Sequence, residues 1–199
     1  MLRAERQRIA VGTFAIVLAL TLSGDPRAAA QRALDLEQMV ALSEEVVVGT
    51  VQSTETHWQG KLIVTVATVE VSEAVKGQPT AIVEITQLGG SAVHPYTGIP
   101  VTMTALTQVA LDPGEEVLLF VDRTGTGLRQ LVGAQQGKYV IREHPRSREK
   151  LIPIGPKRLV VVRDAGRTSV GTDVMTLDVM RERIRSIVER QFRALGGVR

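Results

Sequence analysis

The chain of 199 residues has no cysteine, and aromatic side chains make up only 3% of it. Without cysteine there is no disulfide, no thiolate metal ligand and no lipoprotein anchor. One tryptophan, two tyrosines and three phenylalanines are too few to build the stacked aromatic platforms of a single-strand nucleic-acid groove. An excess of one charge sign is lacking as well, with 24 Lys+Arg against 21 Asp+Glu. No basic stripe stands out, so nucleic acid is excluded as a partner. Long apolar runs are confined to one place, the N-terminus.

That run belongs to a secretory signal peptide spanning residues 1–30. Arg3, Arg6 and Arg8 form a basic start, Ile9 to Leu22 an apolar middle, and Gly24 and Pro26 break the helix. Ala28 and Ala30 set small residues where signal peptidase reads them, which places the cut after Ala30. The apolar run is shorter than the roughly 20 residues a spanning helix needs, so no stable membrane anchor is expected after cleavage. The leader takes four bases (Arg3, Arg6, Arg8, Arg27) and two acids (Glu5, Asp25) with it. The mature chain keeps 20 bases and 19 acids. The expectation is a secreted or periplasmic protein of one domain, residues 31–199, acting as a monomer.

The mature chain reads as mainly β. Asp35 caps a short helix, DLEQMVALSEE, with Gln38 placed to complete a capping box. A valine-rich strand opens at Val46, and Gly49 within it marks a bulge. HWQG, from His57 to Gly60, reads as a hairpin loop. The long strand KLIVTVATVEVSEAVKG follows, apolar on both faces at first and alternating later. TAIVEITQL is a third strand. Residues 89–114 read as a loop in which VTMTAL pairs only briefly. EEVLLFVDR is the most apolar strand, with Phe120 in the core. LRQLVGA and QGKYVIRE give two further strands, His144 to Lys157 is a loop, and KRLVVVRD is a last strand. From about Thr176 the periodicity of Leu177, Met180, Ile184, Ile187, Val188 and Leu195 predicts an amphipathic helix. Its opposite face carries Arg181, Arg183, Arg185, Arg190 and Arg193, read as solvated rather than lipid-binding.

The segments EEVVVGTVQSTET, VTVATVEVSEAVKG and PGEEVLLFVDR, taken in order, resemble the netrin-like modules. These are oligonucleotide/oligosaccharide-binding-type (OB-type) barrels that include the tissue inhibitors of metalloproteinases. VGAQQGKYVI also resembles a feature of exported bacterial proteins with this layout. The likeness covers about Leu36 to Ile141. It implies a closed or partly open OB-like barrel of five to six strands, flanked by a short N-terminal helix and a C-terminal amphipathic helix. It also implies binding or inhibition of another exported protein, such as a protease. The inhibitors' mechanism does not transfer, because an N-terminal cysteine lies on the target's zinc there, whereas Gln31 follows the cut here.

No constellation carries catalysis. His57, His94 and His144 sit singly in loops, without metal-ligand spacing. Ser91 follows Gly89-Gly90 and lies near His94, but GGSAV is not a nucleophile elbow. Glu115 and Glu116 are adjacent on a strand and face opposite ways. No phosphate-binding glycine loop occurs. The expectation is therefore no catalytic, metal or cofactor site, and no cofactor. What remains is a partner-binding rim made of Trp58, His94 and Tyr96. The other reading of Trp58 is a lid folded over one barrel end. The competing functions are an enzyme with an unrecognised site and a structural accessory of the envelope.

Overall fold

Two apolar stretches buried on both faces, Val46–Val48 and Val117–Val121, organise the molecule. The computed structural model describes residues 33–154, 161–164, 167–170, 174–194 and 196. All of these lie in the unit Arg32–Arg199. The signal segment and its cleavage point lie outside the described residues.

Helix α1 (Leu36–Leu42) starts where the sequence predicts. Asp35 accepts from the Gln38 amide at 2.8 Å, and the Gln38 side chain returns the bond to the Asp35 amide at 3.1 Å. The helix stops at Ser43, sooner than expected, because Glu45 is already paired in a strand. Strand β1 (Glu45–Gln59) and β2 (Leu62–Lys76) form a long antiparallel hairpin, and β3 (Ile82–Leu88) pairs with β2. A small hairpin follows, β4 (Gly90–Val93) and β5 (Pro100–Met103). Then come β6 (Glu116–Arg123), β7 (Arg129–Leu131) and β8 (Lys138–Val140). These build a six-stranded mixed sheet in the order β1-β2-β3-β7-β6-β8, and an added β1–β6 pairing closes it into a ring. The β3–β7 join is parallel, through Ile85 and Arg129.

Closure explains the continuous apolar runs. A strand in the ring has one face toward the interior and the other toward whatever covers the ring. Val47, Val51, Val117, Leu119 and Val121 join Ala67, Val69, Val83 and Ile85 in one cluster. Their neighbours Val46, Val48, Leu118 and Phe120 join Met39 and Val40 of α1 and Leu177, Met180, Ile184 and Ile187 in a second. Residues 105–113 contribute Val109 and Leu111, both buried. The Gln87 side chain holds the Val109 backbone by accepting from its N–H and donating to its carbonyl.

Gly49 lies at a register shift between Val48 and Gly49, as a bulge requires. A Cβ there would be driven into the Glu70 carbonyl and within 2.9 Å of Val69. Glycine lets β1 and β2 approach there.

Several boundaries differ from expectation. Residues 57–60 are not a loop: β1 runs to Gln59, and the hairpin turns on Gly60 and Lys61 alone. Alternating β-branched residues extended the pairing, and Gly60 at φ +63° supplied the tight turn. Residues 89–114 contain the β4–β5 hairpin. QGKYVIRE is divided between a 3₁₀ turn at Ala134–Gly137, β8 and β9 (Arg142–Glu143). The stretch from His144 to Lys157 contains β10 (Lys150–Pro153), which pairs with β9 and with β13 (Val174–Thr176). KRLVVVRD yields β11 (Val161–Asp164), paired with β12 (Arg167–Val170).

Helix α2 (Leu177–Ala194) is capped by Thr176, whose Oγ1 accepts from the Val179 amide. Its arginines are not simply solvated. Arg181 and Arg185 pair with Glu73 of β2, and Arg190 pairs with Glu37 of α1. Lys76 closes the other end of α1 by donating to the carbonyls of Val40 and Ser43 at 2.6 and 2.5 Å. Burial pushes its ammonium below its ordinary range, against the pull of Asp122.

Candidate functional site

The far end of the β1–β2 hairpin extends past the ring, and the β4–β5 hairpin lies across it. Thr56 and Thr65 stand opposite each other and share a 3.0 Å hydrogen bond. Thr65 also donates to the Gly89 carbonyl at 2.7 Å. The Gly89 amide donates to the Ile63 carbonyl at 2.8 Å. Gly90, at φ +128°, rests on the two threonines, leaving no room for a Cβ. Gly89-Gly90 is therefore a docking point, and Ser91 beside it bonds Thr102 at 2.7 Å on the exposed face. No base touches that hydroxyl among the described residues.

Trp58, His94 and Tyr96 meet here. The Trp58 Nε1 donates to the Val93 carbonyl at 3.0 Å. Its ring meets His94 edge-on at 5.1 Å, and His94 meets Tyr96 at 5.9 Å. Such spacings lie in the favourable aromatic range. Trp58 is half-buried and belongs to β1, so it is a prop under the hairpin rather than an exposed loop anchor. Tyr96, at the tip, is 92% exposed, and Val93 and Ile99 beside it are each 60% exposed. Leucine, valine and isoleucine singly exposed need no explanation. Tyr96, Val93 and Ile99 lie exposed together on one short hairpin.

The other histidines do not join them. His57 is on β1 with its side chain exposed. His144 accepts from the Ser147 amide at 3.1 Å, and Ser147 donates to Glu149 at 2.9 Å. Sequence reasoning missed this Ser-His-carboxylate group, whose spacing was visible in HPRSRE. Its order is wrong for nucleophilic catalysis, since the carboxylate holds the hydroxyl and not the imidazole. All three residues are exposed. Among the described residues no group of three or more His, Cys, Asp or Glu could hold a metal ion. No described helix is long and apolar enough to cross a membrane.

The protein uses one turn twice. His94 donates to the Ile99 carbonyl and accepts from Gly98, and His144 does the same with Glu149 and Arg148. In each, the residue closing the turn is left-handed: Gly98 at φ +68° and Arg148 at φ +63°. A non-glycine residue there costs about 1–3 kcal/mol, part of which glycine's unfolded-state entropy takes back. Arg148→Gly should therefore raise unfolding free energy by about 0.5–1 kcal/mol, read as a higher urea midpoint. The Arg148–Glu143 ion pair it removes is largely exposed and worth little. An unchanged or lower midpoint would count against the strain.

Buried charge lies at a different place, which the sequence reading did not single out. Glu45, 2% exposed, receives Arg123 at 2.9 Å and Arg129 at 2.8 Å. Burial pushes its carboxyl up, and the bonds from Arg129 and Arg123 more than offset that, holding it below its ordinary value. Glu115 behaves alike, with burial opposed by Lys138 and by the Asp112 backbone. Glu116 pairs separately with Lys150, so the two adjacent glutamates serve different partners. These pairs tie strands together.

Comparison with protein-family models, with curated proteins and with solved structures finds no match.

Proposed function

We propose that the protein is an exported binding module that grips another exported protein, a protease among the candidate targets, through the tip of the β4–β5 hairpin. The observation that carries the reading is the Trp58–His94–Tyr96 row: a half-buried aromatic prop, a histidine, and a tyrosine exposed over 92% of its surface. A rigid aromatic on a braced tip loses little side-chain entropy on binding, which is why tyrosine is favoured as an anchor. The closed run of β1, β2, β3, β7 and β6 supports reading the ring as the five-stranded OB-type barrel of the netrin-like resemblance. The N-terminal residues support export, by their order of basic, apolar and small-residue segments.

The test uses protein recovered from the exported fraction, where mass analysis should give Gln31 as the first residue. Tyr96→Ala should weaken capture of the partner by about 2 kcal/mol, roughly thirtyfold, while the melting temperature stays within about 2 °C. Trp58→Ala should weaken capture and also lower the melting temperature, because Trp58 holds the hairpin. Capture that survives Tyr96→Ala removes the tip from the interface. Hydrolysis in a broad substrate screen, with no partner captured, replaces binding by the enzyme reading.

A further inference from the structure

Strand β1 has two edges, and only part of the second is used. Along its whole length it pairs with β2, in regular register from Ser53 to Gln59. On the other edge β6 pairs with Glu45 to Thr50, and Val51 makes the last bonds, to Glu115 and Gly114. Past that point no backbone group of residues 53–59 finds a partner on this edge among the described residues. A free edge of seven residues is about 23 Å of unpaired donors and acceptors. Protein edges are usually guarded by proline or lysine, and neither occurs between Gln52 and Gln59.

We infer that this edge takes an extended segment of the partner as an added strand. The inference rests on the binding reading above and names its chemistry. The two faces of β1 differ here. Thr54 donates to the Leu111 carbonyl of the segment 105–113, whereas Thr56 lies under Gly90 and Trp58 bonds Val93, so that face looks toward that segment and the β4–β5 hairpin. Glu55, His57 and Gln59 alternate with them and are exposed. A segment lying beside β1 would alternate in the same way. Its apolar side chains would meet Val93 and Tyr96, and its polar ones would lie level with Glu55, where a Lys or Arg is favoured. A second copy of the chain fits less well. Glu55 is the one charged residue between Gln52 and Gln59, so two such edges bring like charges together and no opposite one.

A displayed library of random peptides, each of about eight residues, panned against the purified protein tests this. The expected binders alternate apolar and polar residues and carry a Lys or Arg. Glu55→Lys should turn that preference to Asp or Glu. In one such peptide, N-methylation of alternate amides should weaken binding at least about tenfold, with the intervening amides insensitive. Binding indifferent to N-methylation at every position would overturn strand addition while leaving the tip intact if Tyr96→Ala still weakens it. Binding that needs those amides but ignores Tyr96→Ala would keep strand addition and sink the tip. No enriched peptide, or a wild-type dimer broken by Glu55→Lys, would overturn the inference in favour of no ligand or of self-association.

Discussion

Phe120→Ala should cost about 3–5 kcal/mol of unfolding free energy, since it removes a fully buried ring and leaves a cavity the neighbours only partly fill. Phe120 sits in the middle of β6, opposite Val46 of β1, with 0% of its surface exposed. It belongs to the cluster that joins the ring to α1 and α2, and its ring meets Tyr139 at 5.9 Å. Collapse is restricted from every side. The strand is held by β1 on one edge and by β7 and β8 on the other. Urea denaturation should show a lower midpoint with an unchanged slope. Phe192→Ala, in α2 but 63% exposed, is the control and should cost under about 0.5 kcal/mol. A loss below about 1 kcal/mol at Phe120 would mean that the two-layer core is wrong.

Phe120 also shows why part of the fold was legible in the sequence. EEVLLFVDR and EEVVVG are apolar without alternation, and such strands must be buried on both faces. In this protein both meet that demand by facing the ring interior on one side and the helices on the other. The α2 stripe from Leu177 to Val188 and the Asp35 cap were equally readable, because local periodicity and capping chemistry set them; Leu195 of that stripe lies outside the described residues. One short strand was not. Lys150–Pro153 falls in the stretch read as a loop and is a strand because distant partners offer hydrogen bonds. The site was half legible. Scarcity singled out Trp58, and loop composition singled out His94 and Tyr96. Which of them is half-buried under the hairpin and which is exposed at its tip depends on β1 running on to Gln59, beyond the Thr56 at which the sequence pattern ends it. Glu45 was invisible for a related reason: in sequence it is one acid of a pair, and only strand register buries it.

Glu45→Gln should be the other costly change, about 3 kcal/mol, toward the low end for breaking a buried ion pair because Arg123 keeps a solvent-exposed flank. Register makes the reason specific. Arg123 and Arg129 are direct cross-strand partners on β6 and β7, and like charges so placed repel. Glu45, opposite Val121 on β1, puts one carboxylate between both guanidinium groups. Glutamine keeps the shape but leaves two cations facing each other. The pH dependence follows from the same geometry. Glu45 and Glu115 titrate below their ordinary range in the folded protein, so the unfolded chain binds more protons as pH falls. Their contribution is complete above the ordinary carboxylate value of about 4.3 and is lost as pH drops through the folded values. Wild-type unfolding free energy should therefore fall between about pH 5 and pH 3, and Glu45→Gln should fall less steeply over that window. Adding Arg129→Met to Glu45→Gln should recover part of the loss, because it removes the stranded charge along with its partner. Equal slopes in wild type and Glu45→Gln, or no recovery in the double variant, would show that Glu45 does not hold the three strands together.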